Sequence, residues 1–363
     1  MTLRENLEQK SRALKNARHH HYSFEDNSAC HNSGNRIIVF KGKKNRKGKE
    51  RYKQMNMYLP EGEYKVLGQD VLNIAGDFVS IEDCIRKGTI TEGRCILCDS
   101  GHNLIVDLGF IKGIIPRNEG AIGIENGTTR DIALISRVNK PVAFKITELT
   151  RDENGKPVAL LSRRMAQEEC YSSYIAKFAT GDIIDAKVTH MEQFGAFVDI
   201  GCGISSLIPI DLISVSRISH PSDRFVIGQN IKAVVKTIEH DKITLSHKEL
   251  LGTWQENADL FSVGETVTGI VRSIENYGIF VELTPNLAGL AELKDNIKVN
   301  SRVSVYIKAI IPEKMKVKLI IVDSFNEDIP EKPCSYDYNI TSGSLSSWKY
   351  STDSSEKVVM TCF

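Results

Sequence analysis

An aromatic-glycine-x-phenylalanine motif occurs twice in this chain and contains the side chains best suited to chemistry. The first copy lies in "EQFGAFVDI" at 192–200, and the second lies in "ENYGIFVEL" at 275–283. A ring held on a protein surface can stack on another flat aromatic group, whereas a ring in the core fills volume. The chemistry of the motif therefore depends on the direction in which its rings point.

Strand alternation predicts the direction of one ring. Successive side chains of a strand point to opposite faces, so Val198 and Ile200 share an apolar face and Phe197 lies on the other. Phe194 falls on the core face unless the chain bulges at Gly195, the residue type best able to allow a bulge. Core and surface positions of Phe194 both stay open.

The elements that must position the motif are repeated. Residues 181–207 align with 264–290 at a constant offset of 83 and without a gap. A fainter copy covers 91–164, where His102 and Ile105 stand at the aromatic positions. Short strands with apolar alternation, interrupted by Gly, Asn, Asp and Pro, are typical of all-β units.

Helical patterns separate the repeats, and two of them begin at a serine placed to cap a helix, Ser162 and Ser246. The predicted organisation is a basic, disordered extension over 1–56, a strand and helix lead-in over 57–90, a degenerate repeat over 91–165, a linker helix over 166–180, a second repeat over 181–250, a linker helix over 251–262, a third repeat over 263–325, and a mobile tail over 326–363 with a weak hairpin around "TSG".

Composition and charge limit the possible functions. The chain of 363 residues is 41% hydrophobic and 26% charged, which is typical of soluble globular proteins, and no apolar run approaches the roughly 18 residues of a membrane helix. Residues 1–56 hold 14 Lys/Arg and 5 Asp/Glu, a balance of +9, so the remainder of this +1 chain carries −8. A basic overall charge is therefore no argument for nucleic-acid binding.

Two hypotheses stay open for the N-terminal extension. It is either a solvated leader or a basic arm, and a start of translation at Met55 or Met57 is a further hypothesis. The start of the chain lacks the apolar segment of a secretory signal. We therefore expect a cytoplasmic protein whose eight cysteines are reduced thiols.

The repeats resemble the S1 RNA-binding domain family, which has a five-stranded OB fold. That family carries "(F/Y)GxFV(D/E)", then "GL", then a closing "(R/K)xxLS". The second repeat supplies "FGAFVD", "SL" and "KITLSHKE", and the third supplies "YGIFVE", "GL" and "KVKLI". The resemblance implies an all-β chain of tandem OB-fold barrels joined by short helices.

The resemblance also implies that both aromatics of each motif lie on an RNA-binding face, where bases of a single strand stack on rings beside basic groups. The family histidine that follows "GL" by two residues is absent, because Pro116, Pro209 and Glu292 occupy that position. The outward positions predicted before the motif are Asp185, Lys187 and Thr189, and Thr268, Ile270 and Arg272. The predicted RNA-binding residues are Phe194, Phe197, Lys187, Lys242, Thr244, His220 and Arg224, with Tyr277, Phe280, Arg272, Lys316 and Lys318.

These residues also have structural explanations. Phe194 is a candidate core ring, because aromatics near glycine often fill small barrels. The lysines are candidates for solvated surface side chains. Asp223 and Arg224 are candidates for organising their loop through local hydrogen bonds.

Two clusters have partial metal-ligand spacing. Cys95, Cys98 and His102 form a Cys-x2-Cys-x3-His pattern, but no second Cys/His pair follows at zinc-finger spacing. Cys30 lies near the histidine run at 19–21 and is a weak candidate as well. We predict no metal and no cofactor.

The sequence predicts a non-enzymatic protein that holds single-stranded RNA or mRNA in translation, with the small ribosomal subunit as a candidate partner. No paired carboxylates with metal-ligand spacing, no P-loop and no nucleophile with a base occur, so an enzyme is disfavoured. We expect no membrane and no small-molecule substrate. An RNA-dependent regulator, an RNA-stability factor and a protein-docking module stay open as alternatives.

Overall fold

The computed structural model describes residues 58–64, 78–109, 111–239, 242–325, 336 and 338–363. The predicted basic extension, the hypothesis of a start at Met55 or Met57, and the cluster around Cys30 lie outside the described residues. Among the described helices, none combines the length and apolar character needed to cross a bilayer.

Three closed five-stranded β-barrels form the described chain, which confirms the predicted fold class. In each barrel the strands follow the order first, second, third, fifth, fourth. The third and fifth strands are parallel, and the other pairs are antiparallel. This connectivity is that of an OB barrel.

The strand bounds define the three barrels. Barrel one contains β1 (Ile90–Cys98), β2 (Leu104–Asp107), β3 (Lys112–Ile115), β4 (Pro141–Arg151) and β5 (Pro157–Ser162). Barrel two contains β6 (Ile183–Glu192), β7 (Gly195–Asp199), β8 (Ser205–Pro209), β9 (Asn230–Glu239) and β10 (Lys242–Ser246). Barrel three contains β11 (Thr266–Glu275), β12 (Gly278–Thr284), β13 (Leu287–Ala291), β14 (Arg302–Ile311) and β15 (Lys316–Phe325).

Short helices connect and cover the barrels. The α-helices are α1 (Phe78–Lys87), α2 (Ile132–Ile135), α3 (Arg163–Ser173) and α4 (Trp254–Ala258), and a terminal hairpin pairs β16 (Ser347–Lys349) with β17 (Met360–Cys362). The 3-10 helices span Arg117–Glu119, Ile175–Lys177, Ile210–Leu212, Pro221–Asp223, Lys248–Leu251 and Pro312–Lys314.

Apolar alternation along the strands builds one core inside each barrel. Phe144 in barrel one, Val198 in barrel two and Val281 in barrel three are each fully buried. In β15, the valine and leucine at 317 and 319 point inward while the lysines at 316 and 318 stay exposed. The outward side chains of the same strands are therefore available as a surface.

The predicted helix caps are confirmed in one case and wrong in the other. The Ser162 hydroxyl caps α3 by accepting a hydrogen bond from the Met165 N–H at 2.9 Å. Ser246 does not cap a helix, because His247 is the N-cap of the 3-10 helix Lys248–Leu251 that follows. Helix α4 is capped by Thr253, whose side chain and that of Glu256 form a capping box.

A buried charge cluster joins residues 58–64 to barrels one and two. Glu61 pairs with Arg163 at 2.8 Å and with Arg137 at 3.1 Å. Its backbone N–H donates to Asp199 of barrel two at 2.7 Å. Burial alone would raise the pKa of Glu61, but the two arginines outweigh burial and hold the pKa below its usual value.

The described part of the tail, 338–363, packs against barrels two and three, and its hairpin does not lie around the predicted "TSG" turn. The Leu345 N–H donates to the Gly181 carbonyl at 2.8 Å, and the Tyr350 hydroxyl donates to the Asn286 carbonyl at 2.6 Å. Tyr350 and Trp348 are both buried. The hairpin itself is formed by β16 and β17, further along the chain than the "TSG" turn.

The tail also closes over a buried imidazole. His247 is fully buried, and its Nδ1 lies 3.0 Å from the Ile213 carbonyl oxygen, so Nδ1 carries the proton and donates. Its Nε2 accepts from the Tyr338 hydroxyl at 3.1 Å. Burial lowers the pKa of His247 to about 4, because the charged form loses its hydration.

This pKa predicts a loss of stability in acid. Between about pH 6.5, where an exposed histidine titrates, and about pH 4, the unfolded chain binds more protons than the folded chain. The free energy of unfolding should be unaffected above pH 6.5 and should fall by up to about 3 kcal/mol towards pH 4. His247→Gln keeps a donor and an acceptor but does not titrate, so it should remove this part of the pH dependence. Urea unfolding of both proteins at pH 7.0, 5.5 and 4.5 measures the free energy of unfolding. The same pH dependence of this free energy in both proteins would contradict the prediction.

Candidate nucleic-acid interface

A turn, and not a strand, carries Phe194. Strand β6 ends at Glu192 and β7 begins at Gly195, and these two residues are paired across the hairpin. Phe194 is the second residue of the intervening turn and is 56% exposed. The bulge predicted at Gly195 is wrong, because the irregularity in this pairing lies between Val188 and His190.

Close approach of β7 and β8 explains why glycine stands in the motif. A Cβ atom on Gly195 would lie 2.5 Å from the Ile208 carbonyl oxygen and 3.1 Å from Leu207. On Gly278 of barrel three it would lie 2.6 Å from the Ala291 carbonyl oxygen. Both distances are shorter than real Cβ contacts, so a side chain at either position would push the strands apart.

Both motifs place their two rings on the outer surface in the same geometry. The ring centroids of Phe194 and Phe197 are 5.9 Å apart with perpendicular planes. Those of Tyr277 and Phe280 are 6.1 Å apart and also perpendicular. Tyr277 is 66% exposed, and the two second rings are half-buried. The core position that was open for Phe194 is therefore excluded.

In each of these barrels, the second ring of the motif belongs to a row of paired residues that crosses four strands. Residues paired on neighbouring strands point to the same side of a sheet, so each row forms one outward stripe. The row of barrel two is His190, Phe197, Leu207 and Thr244, and the row of barrel three is Ser273, Phe280, Leu290 and Lys318.

Three predicted lysines lie in or beside these rows, and one of them, Lys318, ends the row of barrel three. Lys242 alternates with Thr244 on β10, and Lys316 alternates with Lys318 on β15, so they share the outward face. All three lysines are exposed. None of them forms an ion pair with another residue of the described chain. They are therefore available to a phosphate.

Two other predicted RNA-binding residues, Lys187 and His220, form hydrogen bonds within the chain. The Lys187 ammonium donates to the Glu63 carboxylate at 2.8 Å and to the Glu61 carbonyl at 3.3 Å. The His220 imidazole caps the 3-10 helix Pro221–Asp223 by accepting from the Ser222 N–H at 3.2 Å. Lys187 therefore holds residues 58–64 against barrel two.

The two predicted arginines lie between barrels two and three and not on the outer face. Arg224 is 4% exposed, and its guanidinium pairs with Glu282 of barrel three and donates to Ser214 at 3.2 Å. Arg272 pairs with Glu282 at 2.8 Å and with Asp223 at 3.6 Å. The predicted RNA contacts of Arg224 and Arg272 do not fit this burial, because neither guanidinium presents a free edge.

The Cys-x2-Cys-x3-His pattern does not form a cluster. Cys95 is fully buried in barrel one, and burial raises the pKa of its thiol. The Cys98 sulfur lies 3.9 Å from the Asp99 carbonyl oxygen, and His102 lies in a turn, 4.0 Å from Asp131. Over the described ranges, no group of three or more His, Cys, Asp or Glu is arranged to hold a metal ion.

The structure places one further residue, His190, on the outward face of barrel two, and alternation along β6 does not predict this position. Regular alternation predicts Thr189 on the outward face, but the bulge between Val188 and His190 reverses the pattern. The Thr189 hydroxyl donates to the Phe197 carbonyl at 3.1 Å, and His190 takes the outward place in the row. Nothing in the residue pattern marks this bulge.

A family comparison matches the part of the chain that carries the first row. Residues 177–248 match the model of the S1 RNA binding domain. This stretch includes all of barrel two with Phe194 and Phe197. Residues 177–248 are an S1 RNA-binding domain. Barrel three repeats the fold, the glycine and the perpendicular ring pair of this S1 domain.

Two relatives match this chain over a longer stretch. Small ribosomal subunit protein bS1 of Staphylococcus aureus (strain COL) is 29% identical over 281 residues, which cover 69% of this chain and 69% of that protein. Small ribosomal subunit protein bS1 homolog of Bacillus subtilis (strain 168) is 31% identical over 196 residues, which cover 52% of this chain and 49% of that protein. The similarity to these proteins thus extends beyond the S1 domain.

The packing of Gly195 predicts a cost for any side chain in the motif. Gly195→Ala should lower the free energy of unfolding by about 1–3 kcal/mol, because β7 and β8 must separate to admit the methyl group. Gly101→Ala is a matched control, since its Cβ would meet side-chain atoms at 3.2 Å or more, and it should stay within about 0.5 kcal/mol of the parent. Chemical unfolding measures both, and equal stability of the two variants would contradict the packing argument.

Proposed function

We propose that this chain binds single-stranded RNA on the outward rows of barrels two and three, as a non-enzymatic cytoplasmic protein of translation that works with the small ribosomal subunit. The observation that carries the proposal is the duplicated pair of perpendicular rings, with exposed lysines on the closing strands of the same two barrels. Unpaired bases stack on such rings, and every base has a π face, so the binding is tolerant of sequence.

The S1 domain and the bS1 names of the relatives support the RNA and the ribosomal parts of the proposal. Regulation of RNA or control of its stability away from the ribosome uses the same faces and is the alternative. Base stacking is proposed for barrels two and three only. The corresponding row of barrel one is aliphatic, with Leu97, Ile105, Ile114 and Leu160.

Linkage of the two barrels supports joint binding. Arg224 of barrel two pairs with Glu282 of barrel three, Arg272 of barrel three pairs with Asp223 of barrel two, and the described tail contacts both barrels. Binding at one row then raises the effective concentration of the same strand at the other. Phosphate contacts of the three exposed lysines at these rows should contribute about −2 to the slope of log affinity against log salt.

Removal of one ring from each row tests the proposal. Phe197→Ala combined with Phe280→Ala should weaken binding of single-stranded RNA by about 2–6 kcal/mol, because each base stack contributes roughly 1–3 kcal/mol. Ile105→Ala is the matched control, since Ile105 occupies the same row position in barrel one. Fluorescence anisotropy with a labelled oligouridylate measures all three proteins. An affinity of the double variant equal to that of the control would exclude these faces.

A further inference from the structure

His190 extends the ring platform of barrel two. Its ring centroid lies 6.1 Å from that of Phe197, and the two planes differ by only 23°. Phe194 stands perpendicular to the same Phe197 ring. Barrel two therefore presents two nearly parallel rings bounded by a third, and the His190 side chain is 59% exposed on this surface.

The imidazole is held in place by a neighbouring carboxylate. The His190 Nε2 lies 2.7 Å from Glu192 Oε1, so Nε2 donates to the ionised carboxylate. Its Nδ1 has no hydrogen-bond partner in the described part of the chain. The negative charge of Glu192 repels a phosphate at this position, so the partner that fits is a base.

Barrel three lacks this third ring. Ser273 pairs with Phe280 in the register that His190 has with Phe197, and the two positions are 83 residues apart, as in the repeat. A serine has no π face, so the row of barrel three offers one ring fewer. The two barrels therefore differ at one position within otherwise matching rows.

We propose that His190 stacks one additional base, so that barrel two holds single-stranded RNA more tightly and over one more nucleotide than barrel three. The inference rests on the proposed function of these faces.

Exchange of the two residues tests the proposal in the full chain. His190→Ser gives barrel two the residue of barrel three and should weaken binding of an oligouridylate about tenfold, which is about 1.4 kcal/mol. The measurement uses chains carrying Phe280→Ala, so that barrel two dominates the affinity. Ser273→His, measured in chains carrying Phe197→Ala, should strengthen binding by a similar factor. His190→Phe keeps the ring and should stay close to the parent affinity.

The salt dependence separates stacking from charge. Loss of a stacked base leaves the slope of log affinity against log salt unchanged, whereas loss of a phosphate contact reduces it by about 0.7. A reduced slope in His190→Ser would overturn the stacking role. An unchanged affinity in both serine-histidine exchanges, with the parent chain binding RNA normally, would overturn the role of His190 alone. A parent chain that does not bind RNA would overturn the proposed function and this inference together. Thermal unfolding of each variant confirms that the fold is retained.

Discussion

Two buried glutamates form ion pairs with arginines at the contacts between neighbouring barrels of the described chain. These pairs determine which basic side chains remain on the outer faces. Glu61 is paired with Arg137 and Arg163 between barrels one and two, and Glu282 is paired with two arginines between barrels two and three. A buried carboxylate without its partner would be strongly destabilising, so these arginines stay paired at the contacts between the barrels. Along the described rows of barrels two and three, the basic side chains that remain for a ligand are those of Lys242, Lys316 and Lys318.

The burial of the arginines and the exposure of the lysines determine how the outer faces can bind a ligand. The two described rows carry three exposed lysines, so the contact area of the rings must supply most of the affinity at these rows. Each ring is positioned by local geometry: the glycine brings neighbouring strands together, and the turn before it lifts the first ring out of the barrel. The fixed contacts between barrels two and three then allow the two ring pairs to bind the same RNA strand.

The sequence predicts the features that depend on local pattern. The repeat, the all-β barrels and the outward direction of Phe197 follow from alternation and from the 83-residue offset. The features that escape it depend on contacts between distant residues. The burial of Arg224 requires Glu282, 58 residues away, and the bulge that exposes His190 has no residue signature. The packed tail likewise depends on barrel surfaces that no linear pattern shows.

The most direct test of the account is to find where RNA touches the chain. Photo-cross-linking of the full protein to a 4-thiouridine oligonucleotide, followed by mass spectrometry of the cross-linked peptides, reports contacts without a mutation. The account predicts cross-links in the peptides that contain Phe194, Phe197, Tyr277 and Phe280. Cross-links concentrated on barrel one, or on the contact between barrels two and three around Arg224, would contradict it.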